Sequence, residues 1–290
     1  MNTFASGWKR NYYGKGDTIV YRLQRDGGQP HGHSAIFGAN VLLLIYGDAF
    51  WATYTTGDNS RLIATDSMKN FIQRETLHFE GNDYESYCRF LLEKFLHKYP
   101  RVEGAQLTAV EIPYAPLPGS HVAYAPTGPD RAMARMEMRR TAHGLETVEL
   151  TGGVTGFRLV RLGGSAFHGF VRDEYTTLPD IRNRPLHMWL DLEWSYTSTE
   201  AGFTNGETAR RARALVHDVF HGFESGSIQE IIYQLGNRML AELPEIEEVK
   251  LEANNRTWDA VLEEGDSRGT FTDARPPYGC LGLRLRRTHG

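Results

Sequence analysis

The chain has 290 residues, enough for about two ordinary domains, with a formal net charge of -4 and basic residues scattered in short pairs such as Arg139-Arg140. Without a basic patch, nucleic acid is a poor partner. Cys88 and Cys280 are the only cysteines, and neither falls in a metal or disulfide spacing. The start, MNTFASGWKRNYYGKGD, lacks the apolar core of a signal peptide, and the run VLLLIY at 41–46 is far too short to span a bilayer. A soluble, cytoplasmic protein without a membrane partner is expected.

In chain order, strands are expected near 36–46 and 49–56, with a turn at Gly47-Asp48. A helix should begin near Asp66. The next segment, DYESYCRFLLEKFLHKYP at 83–100, carries the 3, 4, 3, 4 apolar stripe of an amphipathic helix, with Asp83 as N-cap and Pro100 as its stop. RVEGAQLTAVEI then alternates as a strand, and the proline-rich 111–130 passage reads as an extended hairpin or loop.

The second half repeats this order. Strands are expected near 156–172 and 185–197, and a helix near 207–223. SIQEIIYQLGNRMLAELP at 227–244 then matches the first stripe at an offset of 144, with Gly236 standing where Leu92 stood. Ser227 with Glu230 forms a capping-box pattern, and EIEEVKLEANN leaves as a strand. Strand, strand, helix, helix, strand, strand thus occurs twice. It predicts an α+β duplication with helices on one face of antiparallel sheets, as domains 1–150 and 151–290.

Several features have plain readings. His31 with His33, and His217 with His221 at i, i+4, place no third ligand, so no metal is expected. Cys88 lies on the apolar helix face. The glycines at 152, 153, 156, 163 and 164 form no phosphate loop and read as turns and close-packed strand ends. Other stretches carry more: NYYGKGD with Lys15, IATDSMKN with Thr65 and Asp66 at a helix start, FHGFVRDEYTTLPDIRNR at 167–184, Ile228-Gln229 at a helix start, and Asn255 on a strand exit. Taken singly, Thr65 and Asp66 read first as a plain helix cap, since both are good N-terminal residues. On residues alone, Arg172 and Asp173 would be the chemical pair of the 167–184 run.

Taken together and in order, YGK, IATDSMKN, F-x-GF-x-RDEYTTL with an arginine six beyond the Leu, the helix-start Ile-Gln, and NRTWD followed by ARPPYG resemble the urate oxidases, in particular the bacterial branch of these cofactor-independent uricases. The resemblance runs from about Tyr12 to Arg287. It implies the tunnelling fold (T-fold) in tandem, usually as a homotetramer with sites at subunit interfaces, and the oxidation of urate by dioxygen without a cofactor. It also implies that Phe167 stacks on the purine while Arg184 and Gln229 grip its edge and Ile228 adds its backbone amide, with Asp66 among the substrate-binding residues. Lys15 with the Thr65 hydroxyl would form a proton relay, and Thr65 with Asn255 would hold the oxygen species; Arg172 and Asp173 become structural.

In one place the sequence departs from the family. Many members read Asn-Lys-His where this chain has Asn255-Arg256-Thr257, so the relay would end in Thr257 or water, or would draw on His31 or His33; a slip of one would make Asn254 the ligand. That departure motivates a second reading, a purine-binding protein without turnover. A pterin enzyme of the same fold would need a histidine-rich zinc pattern that is not here.

Overall fold

A computed structural model describes residues 11–25, 35–265 and 268–288. The chain divides into two compact units, residues 1–152 with 198–206, and residues 153–197 with 207–290.

The first unit opens with β1 (Tyr13–Gln24) and β2 (Ala35–Tyr46), a short helix α1 (Trp51–Thr55), then α2 (Thr65–Glu75) and α3 (Tyr84–Lys98). It continues through β3 (Gly104–Glu111), the small hairpin of β4 (Tyr114–Pro116) and β5 (Tyr124–Pro126), β6 (Arg131–Thr141) and the start of β7 (Gly144–Phe167). Its antiparallel pairing runs β1, β2, β3, β6. One face of the sheet meets the apolar stripes of the helices in the core: Val41, Leu43, Ile45, Leu107 and Met136 from the strands against Met68, Ile72, Tyr87, Leu91 and Phe95, all with no exposed surface. Each such side chain contributes about 1.5–3 kcal/mol by leaving water. Asp83 caps α3, accepting the Ser86 N–H at 2.8 Å, as its sequence position requires.

The strand expected over 49–56 does not form. Residues 48–50 make one helical turn and α1 follows; the Thr55 and Thr56 hydroxyls donate to the carbonyls of Trp51 and Ala52. The partner of β2 is instead β1, so Lys15 lies within the first strand rather than ahead of it.

The second unit takes the rest of β7, then β8 (Ile181–Tyr196), α4 (Glu207–His221), α5 (Ile228–Glu242), β9 (Ile246–Thr257), a β10 (Ala260–Glu264) and β11 (Arg268–Phe271) hairpin, and β12 (Arg275–Arg286). β7 begins well before the predicted strand and ends at Phe167. The order of neighbours is β7, β8, β9, β12. Leu190, Leu192, Trp194, Val249, Leu251 and Ala253 meet Ile231, Ile232, Leu235 and Met239 in a second buried core. α3 and α5 keep the 144-residue offset at both ends. Gly236 breaks the repeat where the helix lies close on the sheet: a Cβ there would stand 2.8 Å from a methyl of Leu285, which would have to shift to admit it. This double α+β unit, helices on antiparallel sheet, is the tandem T-fold. No helix among the described residues is long and apolar enough to cross a membrane.

Candidate active site

The residues singled out in the sequence fall into two groups, one in each unit.

In the first unit, the strand start that carries Lys15 is held from several sides. Asn11 exchanges hydrogen bonds with Gly47, its amide donating to the carbonyl at 3.2 Å and its oxygen accepting the N–H at 3.3 Å. The Tyr54 hydroxyl of α1 donates to the Tyr12 carbonyl at 2.7 Å. Tyr13 packs edge-on against Phe50, and its hydroxyl accepts the Ile63 N–H at 2.9 Å; burial pushes its phenol pKa up. Gly14 has no room for a side chain, since a Cβ would meet the Leu43 carbonyl oxygen at 1.9 Å. Just after Lys15 a bulge interrupts the β1–β2 register, with Asp17 in the left-handed region at φ 49°.

Thr65 is the first residue of α2, and it is not the cap. Ala64 occupies the N-cap position and no side chain bonds there. Asp66 turns its carboxylate to its own helix, accepting from Lys69 Nζ at 2.6 Å and Asn70 Nδ2 at 2.8 Å. Lys69 holds that carboxyl below its ordinary pKa, and the charge of Lys15 lowers it further. Lys15 and the start of α2 therefore share one electrostatic neighbourhood. The first-turn N–H groups there have no intrahelical acceptor and point outward.

In the second unit, the Arg184 guanidinium carbon lies 5.5 Å from the centre of the Phe167 ring. Arg184 is half-buried; its Nε has no hydrogen-bond partner among the described residues, and burial pulls its pKa down. A planar fork beside an aromatic face is the arrangement that receives a flat anion with carbonyl acceptors.

A strap joins Phe167 to the start of α5. The Ala166 N–H donates to the Ser225 carbonyl at 2.8 Å and the Ser225 N–H to the Gly164 carbonyl at 2.9 Å. Ser165 and Ser225 are both buried, with hydroxyls 3.3 Å apart, and Arg161 donates to the Ser225 hydroxyl and the Phe223 carbonyl. Two residues on, Ser227 caps α5 by accepting the Glu230 N–H at 3.1 Å. The Glu230 carboxylate returns to the Gly226 N–H at 2.8 Å, one residue earlier than a standard capping box. Ile228 is buried and Gln229 exposed in that first turn, with free N–H groups as at any helix start.

The choice between Asn254 and Asn255 becomes a matter of register. Asn255 pairs with Met188 and Gly279, and Asn254 with Trp189 and Cys280. Paired residues of antiparallel strands share a face. Asn255 thus continues the row of Leu251 and Ala253, on the side of Met188, Leu186 and, by alternation, Arg184. Asn254 faces the other way. On that opposite side Arg256 stacks on Trp189 and Tyr278, 3.7 and 3.9 Å from their ring centres. His187, cross-strand from Arg256, is on that side too, so it is not placed to stand in for the family's relay histidine. Thr257 is the last residue of β9, and His31 and His33 lie outside the described residues. His217 and His221 belong to no cluster of three metal-ligating residues among the described residues.

In the 167–184 run, Arg172 and Asp173 bond within their own loop: Arg172 to Asp180 at 3.4 Å, and Asp173 to the Tyr175 N–H and the Thr176 hydroxyl at 3.0 and 2.8 Å. The residues that sequence reasoning overlooked are Asn11 and Tyr54, which hold the strand start. Nothing in their spacing marks them, because they act across 36 and 42 residues of chain.

Comparison with known proteins shows the family and the fold. The uricase family model matches residues 11–141 and 150–279. A uric acid degradation bifunctional protein of Bacillus sp. strain TB-90 is 36% identical over 296 residues, covering 92% of this chain and 58% of that protein. A uricase of Halalkalicoccus jeotgali is 35% identical, with 83% of each chain covered. Among solved structures, a hyperthermostable mutant of the strain TB-90 urate oxidase superposes with a TM-score of 0.86 at 35% identity, over 96% of this chain and 100% of the other. A uricase from Bacillus fastidious superposes at 0.87 and 33% identity, over 97% and 94%. The chain spans 58 to 59% of the length of the two bacillary bifunctional proteins it matches. The chain belongs to the uricase family.

Proposed function

We propose that the protein is a urate oxidase, converting urate, dioxygen and water to 5-hydroxyisourate and hydrogen peroxide. The observation that carries this reading is the Arg184 guanidinium beside the Phe167 ring, with an uncommitted Nε, in a chain of the uricase family. Phe167 stacks on the purine, Arg184 and Gln229 take its acceptor edge, and the backbone N–H groups at Ile228 and Asp66 supply further donors.

The chemistry follows from the substrate. Urate is an anion near neutrality, and loss of a further proton makes it electron-rich enough to reduce dioxygen directly. The substrate supplies the reactivity that a flavin or metal otherwise brings, so no cofactor is needed. The protein supplies a proton path and a place for oxygen. Lys15 and the Thr65 hydroxyl form the relay. Thr65 and Asn255 hold dioxygen, peroxide or water over the ring, and Thr257 or a water ends the relay where relatives carry histidine.

Lys15 and Thr65 lie in one unit and Phe167, Arg184, Gln229 and Asn255 in the other. In a homotetramer with sites at subunit interfaces, the two groups come from neighbouring chains. A cytoplasmic setting accords with the two unpaired cysteines.

The test is oxygen uptake with urate on chelator-treated protein, with peroxide quantified alongside. One peroxide per dioxygen consumed is expected. Urate binding without oxygen uptake would favour the purine-binding reading, and activity restored only by one metal would sink the cofactor-independent one.

A further inference from the structure

Phe167 stands at the head of a stack. The Phe170 ring lies 5.0 Å from it, with planes 15° apart. The Arg172 guanidinium carbon is 4.9 Å from the Phe170 centre, and Arg172 pairs with Asp180 at 3.4 Å. Asp180 in turn accepts the Gly169 N–H at 3.2 Å. Gly169, at φ 73°, takes the left-handed conformation that reverses the chain here. Beyond Arg172, the Asp173 N–H is taken by Thr176 Oγ1 at 3.0 Å and the Asp173 carbonyl accepts the Thr176 N–H at 3.1 Å, closing the turn.

Stability does not explain this construction. The Arg172–Asp180 pair is about half exposed on both sides, and such pairs contribute about 0–1 kcal/mol. What the pair fixes is orientation. A guanidinium held at one end by a carboxylate lies over Phe170, and Phe170 lies nearly parallel to Phe167. Phe167 has two faces, and Phe170 takes one. A flat ligand has only the other.

We propose that Phe170 and Arg172 are positioning residues that set the plane of the Phe167 ring and leave a single face of it open to the purine. This rests on the reading of Phe167 as the stacking partner of urate. It also accounts for the RDEYTTL run, whose cation and turn hold up an aromatic wall from behind.

Phe170→Leu keeps an apolar side chain and removes the flat ring; Phe170→Tyr keeps the ring. Steady-state oxygen uptake and anaerobic urate calorimetry would be read on both, with Arg172→Gln and Arg172→Lys beside them. The expected result is a rise of about tenfold in KM and Kd for Phe170→Leu, with kcat within about twofold of wild type, and near wild-type values for Phe170→Tyr, since loss of a ring contact is felt in binding. Arg172→Gln should move KM in the same direction by a smaller factor, and Arg172→Lys less again. Should Phe170→Leu fail to fold, as judged by thermal melting, the Arg172 pair decides alone. A wild-type KM in Phe170→Leu, or an equal fall in kcat for Leu and Tyr, overturns the stack while leaving urate oxidation intact. Wild-type protein that neither binds nor oxidises urate overturns the underlying assignment of Phe167 and the stack with it.

Discussion

The Tyr13 hydroxyl accepts the backbone N–H of Ile63 at 2.9 Å, binding the strand that carries Lys15 to the loop that leads into Thr65. Ile63 is buried. Tyr13→Phe keeps the ring against Phe50 and strands that N–H, which should cost about 1–3 kcal/mol. The expected result is a lower urea midpoint with unchanged slope, and a turnover loss larger than any change in KM, because the bond sets the spacing of the proposed relay. Wild-type turnover in a destabilised variant would show that the bond serves stability alone.

Lys15→Met and Thr65→Ala should each cut kcat by about a hundredfold, within the range typical of proton-transfer groups, while altering urate affinity little. Arg184→Lys keeps the charge and loses the planar fork, and should act mainly on KM. Steady-state kinetics across a range of urate concentrations separates the two classes. Finding them exchanged would refute the assignment of roles.

Asn255→Ala should abolish most turnover, and Asn254→Ala should leave it within a few-fold of wild type. The pairing of Asn255 with Met188, and of Asn254 with Trp189, decides the direction. Oxygen uptake by the two variants is the measurement; a more severe loss at Asn254 would mean that the catalytic register is shifted by one.

If sites are shared between chains, Lys15→Ala and Arg184→Ala subunits, each inactive alone, should complement. In a two-fold pair one site carries both defects and the other neither, so random reassembly restores about a quarter of all sites. Mixed oligomers confirmed by mass with no gain in activity would place each site within one chain.

The repeated helices were legible because an amphipathic stripe with an N-cap and a proline stop is a local signal: α3 and α5 occupy the positions read from 83–100 and 227–244. The 49–56 segment misled because its aromatic and β-branched residues favour a strand on propensity. The strand that pairs with β2 on that side lies earlier in the chain, at 13–24, where the Asp26-Gly27-Gly28 turn signal between the two strands was passed over in favour of Gly47-Asp48. The site residues were legible only through the family resemblance. Lys15, Thr65 and Asp66 are ordinary residue types in ordinary positions, and what distinguishes Thr65 is that Ala64, not Thr65, holds the cap. The bond from Tyr13 to Ile63 and the stack behind Phe167 depend on side-chain contacts that no periodicity encodes.

The register of β9 bears on how this family can diverge. Along this strand, odd positions turn Asn255 toward Arg184's side while even positions turn Arg256 toward Trp189. Replacing one side chain changes one face at one point. Gaining or losing a single codon within β9 ahead of Asn255 would exchange the faces of everything beyond it in the strand, carrying Asn255 away from Arg184's side and bringing Arg256 onto it. Lineages are thus free to edit the letters of β9 but are constrained in its length, and variation in chain length should collect instead in places such as the β10–β11 hairpin, where no such parity is at stake.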